Sequence, residues 1–252
     1  MCGIGGVFAP DWAVGFPEIE TVTLWEGLTT RGGHAHGFAL SMEGSQAPLV
    51  MKWPGPSTDN CDLLQSLLEL DAKHMGGVNY VLLHTRYATQ GSVKENGNNH
   101  PITTNRMIVT HNGVLRNDNE IMKRLGTTRF LDVDTEAINA SLRLKSPIWT
   151  INNITGSISV AWVDLDDTST VHLMTNGLNP LAIGRLKSGH MVWASTEWHL
   201  ADAFGDLLME AFFALPFKQY SLCPDGAIRS KWISQQRAPP ALTFNPWKRW
   251  EQ

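Results

Sequence analysis

The sequence predicts a layered α+β domain in which two stacked sheets are covered by helices. Short apolar segments with strand character recur from residue 4 to residue 232, and a few stretches of helical spacing interrupt them. No internal repeat, low-complexity block or convincing linker divides the chain, so one domain is expected over residues 2–235, followed by a tail at 236–252.

Taken in order, residues 4–8 form a short apolar strand entered through glycines. Ile19, Val22, Trp25 and Leu28 recur at helical spacing over 17–29, with Pro17 at the front and Gly32 and Gly33 beyond the end. Residues 37–42 and 49–53 read as strands joined by a polar Gly-Ser turn. An amphipathic helix follows at 59–74, carrying Leu63, Leu64, Leu67, Leu68 and Leu70. Strands at 78–86 and 107–111 each lead into a loop dense in Gly, Asn and Thr. Helices are expected at 117–125 and 135–144, the second with Asp134 at its N-cap. The texture then turns to β, with strands at 157–165, 171–175, 181–186 and 191–195 and turn signals at Asp166-Asp167 and Asn176-Gly177. A short helix at 197–204 and strands at 218–222 and 227–232 complete the body. The tail carries Trp247, Arg249 and Trp250, residue types that anchor interfaces, and is expected to be a surface tail or docking arm.

Composition narrows the function. The chain has 252 residues, 42% apolar and 17% charged, with a net charge of -4. That is an ordinary globular composition without the positive field a general nucleic-acid surface needs. No apolar run spans a bilayer and no basic leader opens the chain, so a cytoplasmic protein is expected. Cys2, Cys61 and Cys223 are odd in number and far apart, which suggests neither a disulfide framework nor a cysteine metal site. Cys61 and Cys223 read as small apolar packing residues.

Cys2 differs because it follows the initiator Met and precedes Gly3, Gly5 and Gly6. A small second residue permits removal of Met1, which frees an α-amine of unperturbed pKa about 7.7–8.0. That amine can take the thiol proton, so nucleophile and base belong to one residue. Further on, Arg86 ends a strand beside Thr85 and Thr89, which suits capture of a small carboxylate. The Asn112 amide and the Gly113 N–H can point the same way and form an oxyanion hole, although an Asn-Gly pair is also a common turn. Asp134 is either a helix cap or a carboxylate facing an ammonium group.

Joined in this order, these segments resemble the class II glutamine amidotransferases, which are N-terminal-nucleophile (Ntn) hydrolases. Cys2-Gly3-Ile4-Gly5-Gly6 is similar to the family's opening Cys-Gly-Ile-x-Gly, and Arg31-Gly32-Gly33-His34-Ala35-His36-Gly37 to its Arg-Gly-x-Asp-x-x-Gly. Residues 84–91 resemble His-Thr-Arg-Trp-Ala-Thr-x-Gly, and Asn99-His100-Pro101 resembles Asn-x-His-Pro. His111-Asn112-Gly113 and Asp134-Thr135-Glu136 resemble His-Asn-Gly and Asp-Thr-Glu. Gly156 to Ala161, Asn179-Pro180-Leu181 and Ala194-Ser195-Thr196-Glu197 extend the likeness.

The resemblance implies a four-layer αββα sandwich with two antiparallel sheets between helices. It implies that Cys2 attacks the side-chain amide of L-glutamine while Asn112 and Gly113 hold the oxyanion. Arg86 with Thr89 would bind the α-carboxylate, Asp134 the α-ammonium, and Arg31 is carried as a further substrate-binding candidate. Ammonia would leave a thioester that water hydrolyses, with no cofactor. Members are usually joined to an ammonia-consuming synthase, and here a separate synthase or ligase partner is expected. Two other readings stay open, an amidase acting on a different amide and a catalytically silent glutamine-binding scaffold. Departures from the pattern are Tyr87 for Trp, Gln90 for His, and His34 and His36 in the Arg31 loop. Those histidines, with His84, His100 and His111, raise a metal site, but three of the five sit in motif positions and none is expected to bind metal.

Overall fold

The computed structural model describes residues 1–11, 13–45, 47–74, 77–104 and 106–234, without the side chains of residues 71–74. The tail at 236–252 lies outside the described residues. Strands β1 (Gly3–Phe8), β2 (Ala35–Met42), β3 (Leu49–Pro54) and β4 (Val78–Arg86) are the first four in the chain. They are joined by β9 (Ala182–Leu186), β10 (Met191–Ala194) and β11 (Leu208–Phe213) in a seven-stranded sheet, ordered β11-β9-β10-β1-β4-β2-β3. The second sheet has six strands in the order β13-β12-β8-β7-β6-β5. These are β5 (Ile102–Thr103), β6 (Met107–Leu115), β7 (Gly156–Asp164), β8 (Asp167–Thr175), β12 (Lys218–Leu222) and β13 (Ile228–Trp232). Neighbouring strands are antiparallel in both sheets.

Three apolar layers hold this together. Between the sheets pack Ile4, Phe8, Tyr80, Leu82, Ile108, Ala161, Leu173 and Trp193. On the outer face of the seven-stranded sheet lie α1 (Glu18–Leu28), α2 (Cys61–His74) and α6 (Glu197–Phe204), which contribute Leu24, Trp25, Leu28, Leu64, Leu68, Leu200 and Phe204. On the other side α3 (Asp118–Leu125), α4 (Thr135–Leu144) and α5 (Pro147–Asn153) cover the six-stranded sheet through Ile121, Met122, Ile138 and Ile151. The expected four-layer αββα sandwich is therefore present.

Several details differ from the sequence expectation. In α1 the buried stripe is Thr21, Leu24, Trp25 and Leu28, and Ile19 faces solvent. Spacing of three, one and three residues keeps that stripe on one face, which Ile19 misses. Leu70 of α2 is also exposed, two residues past the buried Leu68. Helix α5 lay unread in the sequence despite a start signal: Ser146 Oγ accepts from Trp149 N at 3.1 Å, and Pro147 opens the helix. Strand β11 was unread too, because its half-buried edge position leaves no alternating pattern.

Strand β1 is buried along its whole length. Its glycines are a packing requirement, since a Cβ on Gly6 would lie 2.2 Å from both the Trp193 ring and the Val81 carbonyl oxygen. Gly6→Ala should therefore lower unfolding free energy by about 1–3 kcal/mol through overpacking. A urea midpoint equal to wild type would show that the strand has slack there.

Candidate active site

The site forms where β1 and β4 begin and end side by side. Gly3 is paired with Thr85, so Cys2 stands opposite the end of β4 and the loop that follows Arg86. Ile4 N donates to Ser195 Oγ at 2.9 Å, which ties the start of β1 to the end of β10. The Cys2 Sγ receives the Tyr87 N–H at 3.4 Å and lies 3.6 Å from the Tyr87 carbonyl oxygen. Burial pushes the Cys2 thiol up, and Asp134 adds to that, while the Tyr87 N–H, the chain's N-terminus and Arg86 pull it down.

Cys2, Arg86, Thr89, Gln90, Gly113 and Asp134 line one small cleft of about 10 Å³. That is room for about one water. A roomier cavity, about 620 Å³, lies elsewhere, between β11 and β13, and is lined by Phe212, Lys218 and Tyr220 among others. It holds none of these residues.

Arg86 is 3% exposed. Its guanidinium donates to Asn99 Oδ1 at 2.8 Å, to the Gly91 carbonyl at 2.9 Å and to the Gln90 carbonyl. Those bonds aim the group at the loop, and an incoming carboxylate would compete with the loop carbonyls for the same N–H groups. Asn99 as the partner that orients Arg86 was not assigned from sequence, where the residue had a motif position but no role.

Asn112 and Gly113 do not lie in a loop beyond the strand expected at 107–111. They lie inside β6, with Asn112 paired to Ser159 and Gly113 to Ile158. The ladder passes through because Gly113 has φ 155°, and a Cβ there would meet the Ser157 carbonyl oxygen at 1.9 Å. The Asn112 side chain is fully buried, and neither its oxygen nor its nitrogen has a hydrogen-bond partner among the described residues. Its backbone carbonyl accepts from Asn179 Nδ2 at 3.0 Å, which fixes the residue. A buried amide without a partner costs about 1–3 kcal/mol, so a reason beyond folding is called for.

Asp134 occupies the N-cap position of α4, but its carboxylate makes no capping bond and its backbone is already helical. Instead Oδ2 accepts from Leu115 N at 2.8 Å and Oδ1 from Thr135 Oγ1 at 3.4 Å. The carboxylate is thereby turned to the cleft, 3.8 Å from His111 Nδ1. Arg31 lies outside the cleft lining and donates from Nε to the Cys2 carbonyl at 3.0 Å.

Three imidazoles are buried at the cleft, His100 and His111 in its lining and His84 outside it. His84 and His100 stack with centroids 4.1 Å apart. His84 Nε2 lies 3.0 Å from the His111 carbonyl, so it donates there. Thr135 Oγ1 contacts His100 Nε2 at 2.7 Å and His111 Nδ1 at 3.0 Å. Burial lowers all three pKa values, His84 to about 3 and His100 well below its ordinary value, while Asp134 opposes the trend at His111. Among the described residues no group of three or more His, Cys, Asp and Glu is placed to hold a metal. His36 is spent on Gly55 O and Asn60 Nδ2, each at 2.8 Å.

Two antiparallel sheets between helix layers, with a cysteine entering a central strand, define an Ntn-hydrolase sandwich. Residues 84–202 match the glutamine amidotransferase domain family. A glutamine–fructose-6-phosphate aminotransferase of Listeria innocua is 30% identical over 199 residues, covering 73% of this chain and 30% of that protein. One from Pyrococcus horikoshii is 28% identical over 212 residues, covering 77% of this chain and 32% of its own length. Among solved structures, the glutamine phosphoribosylpyrophosphate amidotransferase of B. subtilis superposes with a TM-score of 0.69 at 20% identity, over 93% of this chain and 50% of that one. The chain thus spans about a third of the curated relatives it matches. It carries a class II glutamine amidotransferase domain.

The buried imidazoles give a pH signature. Their native pKa values lie below the ordinary 6.5 or so, so as pH falls the unfolded chain binds protons that the native state refuses. Their stabilising contribution is complete above pH ~6.5 and is lost progressively below it, toward about 3 for His84. The urea midpoint should fall between pH 7.5 and 5.5, and a flat profile would mean these rings accept protons in the native state.

Proposed function

We propose that the domain hydrolyses L-glutamine to glutamate and ammonia through a thioester on Cys2. The observation that carries this reading is the convergence of Cys2, Arg86, Thr89, Gly113 and Asp134 on one cleft, with Asn112 next to Gly113 in sequence and its buried amide without a hydrogen-bond partner among the described residues. Free glutamine presents an anion, a cation and an amide, and each has a counterpart here. In this reading Arg86, with Thr89, takes the α-carboxylate as it displaces the Gln90 and Gly91 carbonyls. Asp134 takes the α-ammonium.

Once Met1 is removed, the Cys2 amine accepts the Sγ proton, directly or through one water. Sγ bonds to the amide carbon, and the oxyanion is received by Asn112 Nδ2 and the Gly113 N–H. The C–N bond then breaks, and the amine returns its proton to the departing nitrogen, which leaves as ammonia. Water attacks the thioester as the amine takes one of its protons. The C–S bond breaks, glutamate leaves and the thiol is restored. Arg31, which donates to the Cys2 carbonyl, is kept as a further substrate-binding candidate next to the nucleophile.

No helix among the described residues is long and apolar enough to cross a membrane. We place the reaction in the cytoplasm, with the ammonia passed to a synthase or ligase that meets this domain as a separate protein. The region at 2–235 is proposed as the glutaminase unit and the tail at 236–252 as a docking arm.

The test uses Met1-processed protein. Wild type should release ammonia from glutamine and be labelled at Cys2 by a glutamine-mimicking electrophile, and Cys2→Ala should do neither. Ammonia release by Cys2→Ala at the wild-type rate would remove Cys2 from the chemistry. Copurification from the native source would identify the acceptor. Asn112→Ala should lower kcat by about a hundredfold or more while KM changes little. Because the amide has no hydrogen-bond partner among the described residues, the same variant should unfold at a urea midpoint no lower than wild type. Unchanged turnover would take Asn112 out of the oxyanion role.

A further inference from the structure

The Arg31 loop departs from the family pattern at His34, and that residue meets the loop beside Cys2 from three directions. Strand β2 starts at Ala35, paired with Arg86. One residue earlier, His34 N donates to the Arg86 carbonyl at 3.0 Å, and the His34 carbonyl accepts from Gly55 N at 3.0 Å. Both main-chain groups of His34 are thereby fixed. Strand β4 has ended at Arg86, so the next amides lie past the ladder. The His34 ring supplies one more acceptor there: Nδ1 takes the Ala88 N–H at 3.1 Å. Its face lies against the Tyr87 ring, with centroids 4.6 Å apart and planes 30° apart. Gly32 closes the other side, since a Cβ there would stand 2.5 Å from both Arg86 C and Tyr87 N. The peptide group gripped in this way is the one whose N–H points at Cys2 Sγ, 3.4 Å away.

We propose that His34 is a positioning residue for the nucleophile: by accepting the Ala88 N–H at Nδ1 and stacking on Tyr87, its ring holds the Tyr87 amide against Cys2 Sγ. Its kinetic consequence rests on the glutaminase reading, but its effect on the thiol does not. An N–H aimed at sulfur favours the thiolate over the thiol, so the latch makes Cys2 more reactive at a given pH. Asparagine at this position carries an acceptor oxygen at the distance of Nδ1, whereas leucine fills space without one.

The experiment follows alkylation of Cys2 by iodoacetamide against pH in the Met1-processed full chain, read by mass spectrometry so that Cys61 and Cys223 are counted separately. For His34→Leu the midpoint of the profile should move to higher pH, and kcat/KM for glutamine should drop about three- to tenfold, the scale of one lost hydrogen bond. His34→Asn should restore most of both. A wild-type alkylation profile in His34→Leu overturns the proposal, as does His34→Asn behaving like His34→Leu, which would make the ring a packing element only. If wild type releases no ammonia, the glutaminase reading fails, and the alkylation profiles still decide the role of His34.

Discussion

The register of β1 against β4 places the nucleophile beside the arginine loop, the pairing on which the rest of the site is built. Gly3 opposite Thr85 puts Cys2 beside Arg86 and Tyr87, and a slip of one residue would turn the strand's side chains to the wrong faces. The register is held from several directions at once. Thr85 Oγ1 donates to the Leu28 carbonyl at 2.7 Å, and Ile4 exchanges backbone and side-chain bonds with Ser195. A Cβ on Gly3 would approach Thr85 Oγ1 to 2.6 Å. The run of glycines therefore lets a strand without bulk thread between two layers of large side chains. The nucleophile is located by this close fit, one residue before a strand buried along its whole length.

Around that strand the site departs from what stability alone would select. Among the described residues the buried Asn112 amide has no hydrogen-bond partner, nor does one nitrogen each of His84 and His100. Asp134 sits where a helix cap belongs and spends its carboxylate on Leu115 N and the cleft. Burial holds His84 and His100 below their ordinary pKa and so disfavours positive charge on them, leaving Arg86 as the Lys or Arg side chain in the cleft lining. Local rules broken together in one place mark a functional site, because the surrounding sheets must supply the free energy that these groups do not.

Most of the fold was legible in the sequence, since long periodic segments such as 59–74, 78–86 and 157–165 announce their type. The failures have physical causes. The pair Asn112-Gly113 resembles a turn locally, but β7 extends the ladder through it and Gly113 tolerates the backbone this requires. Strand β11 is half-buried and shows no alternation. The site was legible as a set of residue types: Cys2, Arg86, Thr89, Gly113 and Asp134 do meet. Arg31 was legible only as a motif position, and its contact is with the Cys2 carbonyl.

The sequence by itself determined the inventory: a cysteine after the initiator, an arginine at a strand end, an Asn-Gly pair and an acid at a helix start, in an order that resembles one family. Those are local properties, written in adjacent residues. The tertiary structure alone decided the relations among them. It decided that Arg86 is tied to its own loop through Asn99, that the Asn112 amide has no hydrogen-bond partner among the described residues, and that His34 reaches Ala88. Such pairings join residues tens of positions apart through strand register and layer packing, and no local periodicity encodes the distance between two side chains on different strands.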